Sequence, residues 1–433
     1  MGSMADAADT PAHWKLAQTP PMGWNSYDAF GSSVTEDEVI ANADYLKAHL
    51  AQFGYRYVIV DFRWADPTAA NYDPNGIGGP LASDEFGRLL PATNRFPSSV
   101  DGRGFKPLAD KIHTMGLKFG IHVMRGIPRQ AVANNSPIEH SQFKAADAAN
   151  VKSPCSWCKD MWGVDTTKQA GQDYYDSIFR LYASWGVDFV KVDDLSQPYH
   201  REEIEAIRRA IDKSGRPMVL STSPGETPVS ESIHVSVHAN MWRISKDFWD
   251  DWASLNHAFD LAAKWQGIGG SGHWPDSDMI PFGRIGIRSV GGSRMTRFSQ
   301  DEQVTLLSLW SLLPSPLMLG GNQPDNDVWT LSIITNEEAL AINQDPLGQP
   351  GRRVFQSRKT EVWIRDIKNN EKAVGLFNRG ESEVPITLRA SDINLHDIFK
   401  VRDVWARKDL GLLDKEITLP VPKHGSILLK LYQ

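Results

Sequence analysis

Cysteine is almost missing from this 433-residue chain. There are two, Cys155 and Cys158, in one Cys-Ser-Trp-Cys run. With no second pair, a disulfide framework and a four-thiolate zinc site are both excluded. No thioredoxin-like strand–helix start surrounds the pair, so it reads as a local loop disulfide or as two plain thiols. An excess of positive charge is also lacking. The net charge is −7, which leaves no dominant basic face for nucleic acid. Long apolar runs are absent too. The longest, Val304–Leu319, is broken by serines and two prolines and is too short to span a bilayer, so no membrane partner is expected. Met1–Met4 reads as a leftover of cloning, and Ala5–Thr10 has no apolar signal-peptide core. The expected location is periplasmic or secreted if a signal peptide has been removed, and cytoplasmic otherwise. No internal repeat or low-complexity segment is visible.

What is present is ordinary in amount: 41% hydrophobic and 23% charged residues, as in water-soluble globular proteins. The length suits two domains or one large barrel plus an extension. Fifteen tryptophans supply flat faces of the kind sugars stack on, although most tryptophans are core or interface residues.

Apolar runs alternate with amphipathic ones. Tyr55–Asp61, Leu117–Met124, Val187–Asp193, Met218–Ser223, Ala239–Arg243 and Pro316–Gly320 read as strands bounded by turn residues. Thr35–Phe53, Gln172–Ser184 and Arg201–Lys213 read as helices, the first opening on a plausible cap and stopping before Gly54. Strands apolar on both faces imply a parallel sheet covered by helices. A doubly wound sheet would carry a Gly-rich phosphate loop after its first strand, and Met22–Tyr27 has a tryptophan instead. Polar residues gather at the C-terminal strand ends, where a (β/α)8 TIM barrel builds its active site. The expected fold is therefore α/β: a catalytic barrel over 15–345, then a C-terminal antiparallel β-sandwich over 346–433, signalled by short alternating runs such as Val362–Arg365 and Ser426–Leu431.

Two strand ends carry the chemistry. In Gly186–Asp194, Lys191 and Asp193 share a strand face, so an ammonium and a carboxylate can point into one pocket. They could be a nucleophile with its counter-charge or a buried ion pair. A Schiff-base lysine is disfavoured, because the adjacent carboxylates keep Lys191 protonated. In Asn240–Asp247, Arg243 precedes Asp247 by four residues. Asp247 could reach the pocket or merely cap the next helix, where Asp250 and Asp251 look like first-turn charges. Asp61 ends another strand and could accept sugar hydroxyls. His122, mid-strand, is a pocket residue or a satisfied core histidine. Two such carboxylates on separate strands are what glycosidic bond cleavage requires.

In order along the chain, several motifs together resemble glycoside hydrolase family 27, the α-galactosidase and α-N-acetylgalactosaminidase family. They are Pro20–Ser26, the strand ending at Asp61, Gly186–Asp193, Trp242-Arg243 with Asp247, Trp274–Met279 and Ala341–Gly348. The resemblance runs from about Thr19 to the C-terminus. It implies a retaining exo-glycosidase without metal or organic cofactor, acting on an oligosaccharide or glycoside. Asp193 falls on the family nucleophile and Asp247 on its acid/base, which retention would place about 5–5.5 Å apart. Trp24, Asp61, Lys191 and Arg243 fall on sugar-binding positions.

This sequence also departs from the α-galactosidase pattern. The second aspartate usual after Asp61 is Phe62, the tyrosine usual on the third strand is His122, and Ser223 and Thr227 replace the Glu and Tyr near O2. The cysteine pair expected near Met124 and Leu195 is missing. An α-D-galactoside is the family default. The Ser223 and Thr227 loop favours an α-N-acetylgalactosaminide, and Phe62 favours a β-L-arabinopyranoside, which is an α-D-galactoside shape without C6. Arg63, His122 and Arg125 suggest an anionic sugar as a further option. From another class, a catalytically silent carbohydrate-binding protein stays open, as does assembly into a homo-oligomer.

Overall fold

The computed structural model describes residues 10–70 and 80–433. The expectations for Met1–Met4, and for all of Ala5–Thr10 but its last residue, lie outside them. Eight parallel strands follow in chain order: β1 (Met22–Asn25), β2 (Tyr57–Val60), β3 (Lys118–Met124), β4 (Phe189–Asp193), β5 (Val219–Thr222), β6 (Met241–Arg243), β7 (Trp274–Asp276) and β8 (Leu317–Leu319). From β1 to β7 each pairs with its sequence neighbour, and β8 returns to β1. Beyond β7, a parallel bridge from Ile280 to Leu319 joins the two ends. This is the expected (β/α)8 barrel.

Side-chain alternation sorts the strands into two layers. Val58 and Val60 face the helices, while Tyr57 and Ile59 fill the lumen with Phe189, Val219, Met241 and Trp274. Gly23 makes room for this filling. A Cβ there would lie 2.3 Å from the Tyr57 carbonyl oxygen. Around the barrel pack α1 (Glu36–Tyr45), α2 (Lys106–Thr114), α3 (Gln169–Trp185), α4 (Arg201–Lys213), α5 (Ser232–His238), α6 (Trp252–Trp265) and α7 (Gln300–Leu312). The six expected strands are present. β1 and β7 were not anticipated, being short and carrying Gly, Pro or Asp. The expected helix from Thr35 to Phe53 is α-helical only to Tyr45, then continues as a π-type turn and a 3₁₀ turn that stops at Gly54, φ 101°. Its cap is a full box between Thr35 and Glu38.

The C-terminal strands are β9 (Arg352–Ser357), β10 (Thr360–Ile367), β11 (Glu371–Asn378), β12 (Val384–Arg389), β13 (Phe399–Asp403), β14 (Lys408–Leu413), β15 (Glu416–Val421) and β16 (Ser426–Tyr432). Six form an antiparallel sheet in the order β9-β10-β11-β16-β13-β14, and β12 pairs with β15 to cover one face. Val362, Ile364, Val374 and Leu376 point into this sandwich with Ile386 and Leu388 of the covering pair. Trp363 and Phe377, of opposite parity, join the barrel's helical layer instead. Among the described residues no helix is long and apolar enough to cross a membrane.

Candidate active site

The C-terminal ends of the barrel strands surround a cavity of about 270 Å³, at the small end for ligand pockets. Asp61, Phe62, Lys191, Asp193 and Asp247 line it. Asp193 closes β4 with both oxygens held. His122 Nε2 lies 2.9 Å from Oδ2, and the Asp194 backbone N–H donates to Oδ1 at 2.8 Å. Since an ionised carboxylate only accepts, Nε2 carries the proton. Registry explains the pairing: His122 lies beside Lys191 on the neighbouring strands, with Asp193 two residues on along the same face.

Lys191 donates to Asp61 Oδ2 at 3.0 Å, and Asn25 Nδ2 reaches the same oxygen at 2.6 Å. The Phe62 N–H donates to Asp61 Oδ1. Burial alone would raise the Asp61 pKa, but Lys191, His122, Asn25 and that N–H outweigh it and hold Asp61 well below the usual carboxylate range. Burial would likewise lower Lys191, but Asp61, Asp278 and Asp193 raise it above the ordinary lysine range. The lysine therefore stays charged, as its carboxylate neighbours require.

Asp247 stands on the loop after β6 with its side chain 59% exposed, 3.2 Å from Arg243 Nη2. It does not cap a helix. Asp251 caps α6 by accepting from Ser254 N, and Asp250 pairs with Arg294. Arg243 is buried and also holds Asp278 at 2.8 Å. Burial, opposed by Arg243 and reinforced by Asp247, pushes Asp278 up to about 6.

Several expected sugar contacts are placed differently. Trp24 is fully buried in the layer between barrel and helices, its indole N–H donated to the Gly321 carbonyl at 2.8 Å. Strand parity turns Trp24 outward, and Tyr27, three residues on, lines the cavity instead. Ser223 and Thr227 are buried off the cavity, which Pro224 between them lines. His122 and Arg243 stand behind the carboxylates. Arg63 pairs with Asp66 and Asp160, and Arg125 with Asp194 and Glu203. Neither lines the cavity, so the case for an anionic sugar falls. Cys155 and Cys158 are free, buried thiols packed on Phe62. Burial pushes Cys155 up to about 12 and Cys158 higher still, so both are unreactive.

Trp157 between the cysteines, Phe248, Trp249, Met279 and Asp28 also line the cavity, and none of them is among the site residues read from the sequence. Asp28 is 1% exposed, and neither carboxyl oxygen has a hydrogen-bond partner among the described residues. Burial, with Asp278 adding, pushes it well above the carboxylate range. That shift favours the protonated carboxyl, the form that can donate a hydrogen bond.

Family models bear on this geometry. One described as alpha galactosidase A matches residues 158–345, and one described as the alpha galactosidase C-terminal beta sandwich domain matches 357–431. An α-galactosidase of Cyamopsis tetragonoloba is 31% identical over 417 residues, 95% of this chain and 85% of that protein. The chain belongs to glycoside hydrolase family 27. It is a glycoside hydrolase with a carbohydrate substrate. Among solved family 27 structures, a variant of a β-L-arabinopyranosidase from Geobacillus stearothermophilus, in complex with arabinose, superposes with a TM-score of 0.96 at 48% identity. The match covers 98% of this chain and 100% of that one. A Bacillus halodurans C-125 protein provisionally described as an α-N-acetylgalactosaminidase gives 0.86 at 48% identity, covering 95% and 97%.

Proposed function

We propose that this glycoside hydrolase is a retaining β-L-arabinopyranosidase that removes single terminal residues. The observation that carries the sugar is Phe62, seated on the cavity wall beside Asp61. Its ring stands edge-on to His122 at 5.4 Å and near Trp157 at 5.8 Å, so it is held in place. A phenyl ring cannot accept from a C6 hydroxyl and crowds a hydroxymethyl group. A buried hydroxyl left unpartnered costs about 1–3 kcal/mol. The pyranose lacking C6 avoids both penalties. The similar arabinopyranosidase of Geobacillus stearothermophilus supports the same reading.

In the proposed mechanism Asp193 attacks the anomeric carbon while Asp247 gives its proton to the departing oxygen, leaving a glycosyl-enzyme ester. Asp247 then takes a proton from water, the hydroxide oxygen bonds to the anomeric carbon, and the Asp193 carboxylate leaves. His122 and the Asp194 N–H aim the nucleophile. Arg243 holds Asp247 at the rim, where exposure lets water and aglycone exchange. The Lys191–Asp61 pair offers both donors and acceptors to ring hydroxyls. All these residues lie within the proposed catalytic unit, 15–345, with 346–433 as the sandwich.

A matched series of p-nitrophenyl β-L-arabinopyranoside, α-D-galactopyranoside and α-N-acetyl-D-galactosaminide tests the reading. The highest kcat/KM is expected on the first, and a preference for either of the others overturns the sugar assignment. Asp193→Asn should lose at least about 10³-fold in kcat while still binding L-arabinose. Unchanged turnover would remove it as nucleophile. The α-D-galactoside is the second reading, because it differs from the first only at C6.

A further inference from the structure

Away from the cavity, α4 and α5 bring three ligand-type side chains together. His234 and His238 are four residues apart on α5 and so share a face. Their rings lie 4.3 Å apart, 32° from parallel. Glu205 of α4 reaches across, with Oε1 3.2 Å from His234 Nε2. One ligand atom from each of the three lies within 4.8 Å of the others.

The remaining polar atoms are engaged in ways that leave this set facing inward. His238 Nδ1 donates to the His234 carbonyl at 2.8 Å, which puts the lone pair on its Nε2. His234 Nδ1 lies 2.6 Å from the Tyr199 hydroxyl. Arg209 stands 3.6 Å from Oε2 of Glu205, leaving Oε1 toward the histidine. Each prospective ligand thus has an outer partner that orients it, as metal-binding histidines and carboxylates characteristically do.

We propose that Glu205, His234 and His238 bind a divalent transition-metal ion, with Zn²⁺ the best fit. Two imidazole nitrogens and one carboxylate oxygen are a zinc donor set, and the fourth position, open toward solvent beside the part-exposed Glu205, takes water. Small side-chain rotations bring the three atoms to bonding distance. The proton now shared between His234 Nε2 and Glu205 moves in tautomeric exchange to Nδ1, which then donates to Tyr199, so no net proton need be lost. The ion ties α4 to α5. His238 lies three residues before Met241, the N-terminal end of β6, opposite the end that carries Arg243, so the ion would sit away from the barrel-mouth cavity and take no part in the reaction there.

The test uses the full-length chain, freed of any tag and stripped with a chelator. Zn²⁺ is titrated by calorimetry, and thermal unfolding is followed in parallel. One Zn²⁺ per chain is expected. At 100 times its Kd the folding equilibrium should shift about 100-fold toward the folded state. His238→Gln and Glu205→Gln should each weaken binding at least about tenfold while leaving glycoside hydrolysis unchanged. No bound Zn²⁺, or equal affinity and stoichiometry in both variants, overturns the proposal. The second outcome would mean that the ion sits elsewhere. If His238→Gln does not fold, the part-exposed Glu205→Gln decides alone.

Discussion

Phe62 and Asp28 both line the cavity, and each makes a prediction of its own. Phe62→Asp places an acceptor where the C6 hydroxyl of a galactoside would lie. The ratio of kcat/KM for α-D-galactoside over β-L-arabinopyranoside should rise about 10- to 100-fold, the equivalent of one recovered buried hydrogen bond. An unchanged ratio in a folded variant would place the selection elsewhere. Asp28 is a stability question. Burial raises its folded pKa far above the unfolded value, so between those two values the folded chain holds a proton that the unfolded chain has released. Stability is then full below about pH 4 and falls as pH rises toward the folded pKa, by about 1.4 kcal/mol per unit. Asp278 adds a similar slope that ends near 6. Asp61 has the opposite sign, its stabilisation being lost only as the solution becomes more acidic than the ordinary carboxylate range. Asp28→Asn should therefore match the wild type near pH 4 and exceed it in thermal midpoint from pH 6 upward, by a margin that widens with pH. A constant margin would show that Asp28 ionises normally. Much of this scale was legible in the sequence. Asp61, Lys191, Asp193 and Asp247 stood out as charged residues at or just after strand ends, and all four line the cavity. Trp24 sits on a strand that the sequence pattern does not announce, so its outward parity and its burial between barrel and helices are not legible there. Asp28 was invisible because its isolation depends on Gly320, whose Cβ would lie 1.8 Å from Asp28 Oδ2.

Element boundaries follow local chemistry where a strong signal exists. Arg201–Lys213 is a helix over the residues its spacing predicts. Helix α7 begins at a full capping box, with the Ser299 side chain accepting from Glu302 N while the Glu302 carboxylate accepts from Ser299 N. Ser299→Ala should cost about 1 kcal/mol, read as a lower thermal midpoint with unchanged kcat/KM, since the Ser299 hydroxyl bonds within the cap and not to the cavity. A fall in activity without a fall in midpoint would contradict that separation. Strands β1 and β7 were illegible for a physical reason. Met-Gly-Trp-Asn and Trp-Pro-Asp are weak strand formers, and tertiary context decides them. In β1 the decisive contact is Gly23 against Tyr57. The helix after Thr35 loses its α-geometry at Leu46 through a π-type turn, which no periodicity in that stretch announces.

Sandwich and barrel share one apolar layer. Trp363, Phe377 and Leu428 of the sheet belong to the same buried cluster as Leu306, Leu309 and Trp310 of α7. Polar contacts reinforce the seam. Arg365 is buried and donates to the backbone carbonyls of Ser311, Ile342 and Gln349. Arg379 joins Glu361 of the sheet to Asp260 of α6. The alternating runs of the C-terminal segment announced a sandwich. They could not announce that one of its faces completes the barrel's outer core, because alternation reads the same whichever layer lies opposite. If the seam is a shared core, the two units cannot unfold independently. Calorimetry of the full chain should show one heat absorption peak. A chain ending at residue 345 should be insoluble or lack cooperative unfolding, since removing the sheet uncovers the α7 side chains that Trp363 and Phe377 bury. Arg365→Met keeps the volume but takes a donor from the buried Ser311 and Ile342 carbonyls, at about 1–3 kcal/mol each at most, and should lower the single peak without splitting it. Two separate peaks in the wild type, or a soluble and cooperative 15–345 fragment, would mean that the barrel's outer layer is complete without the sandwich.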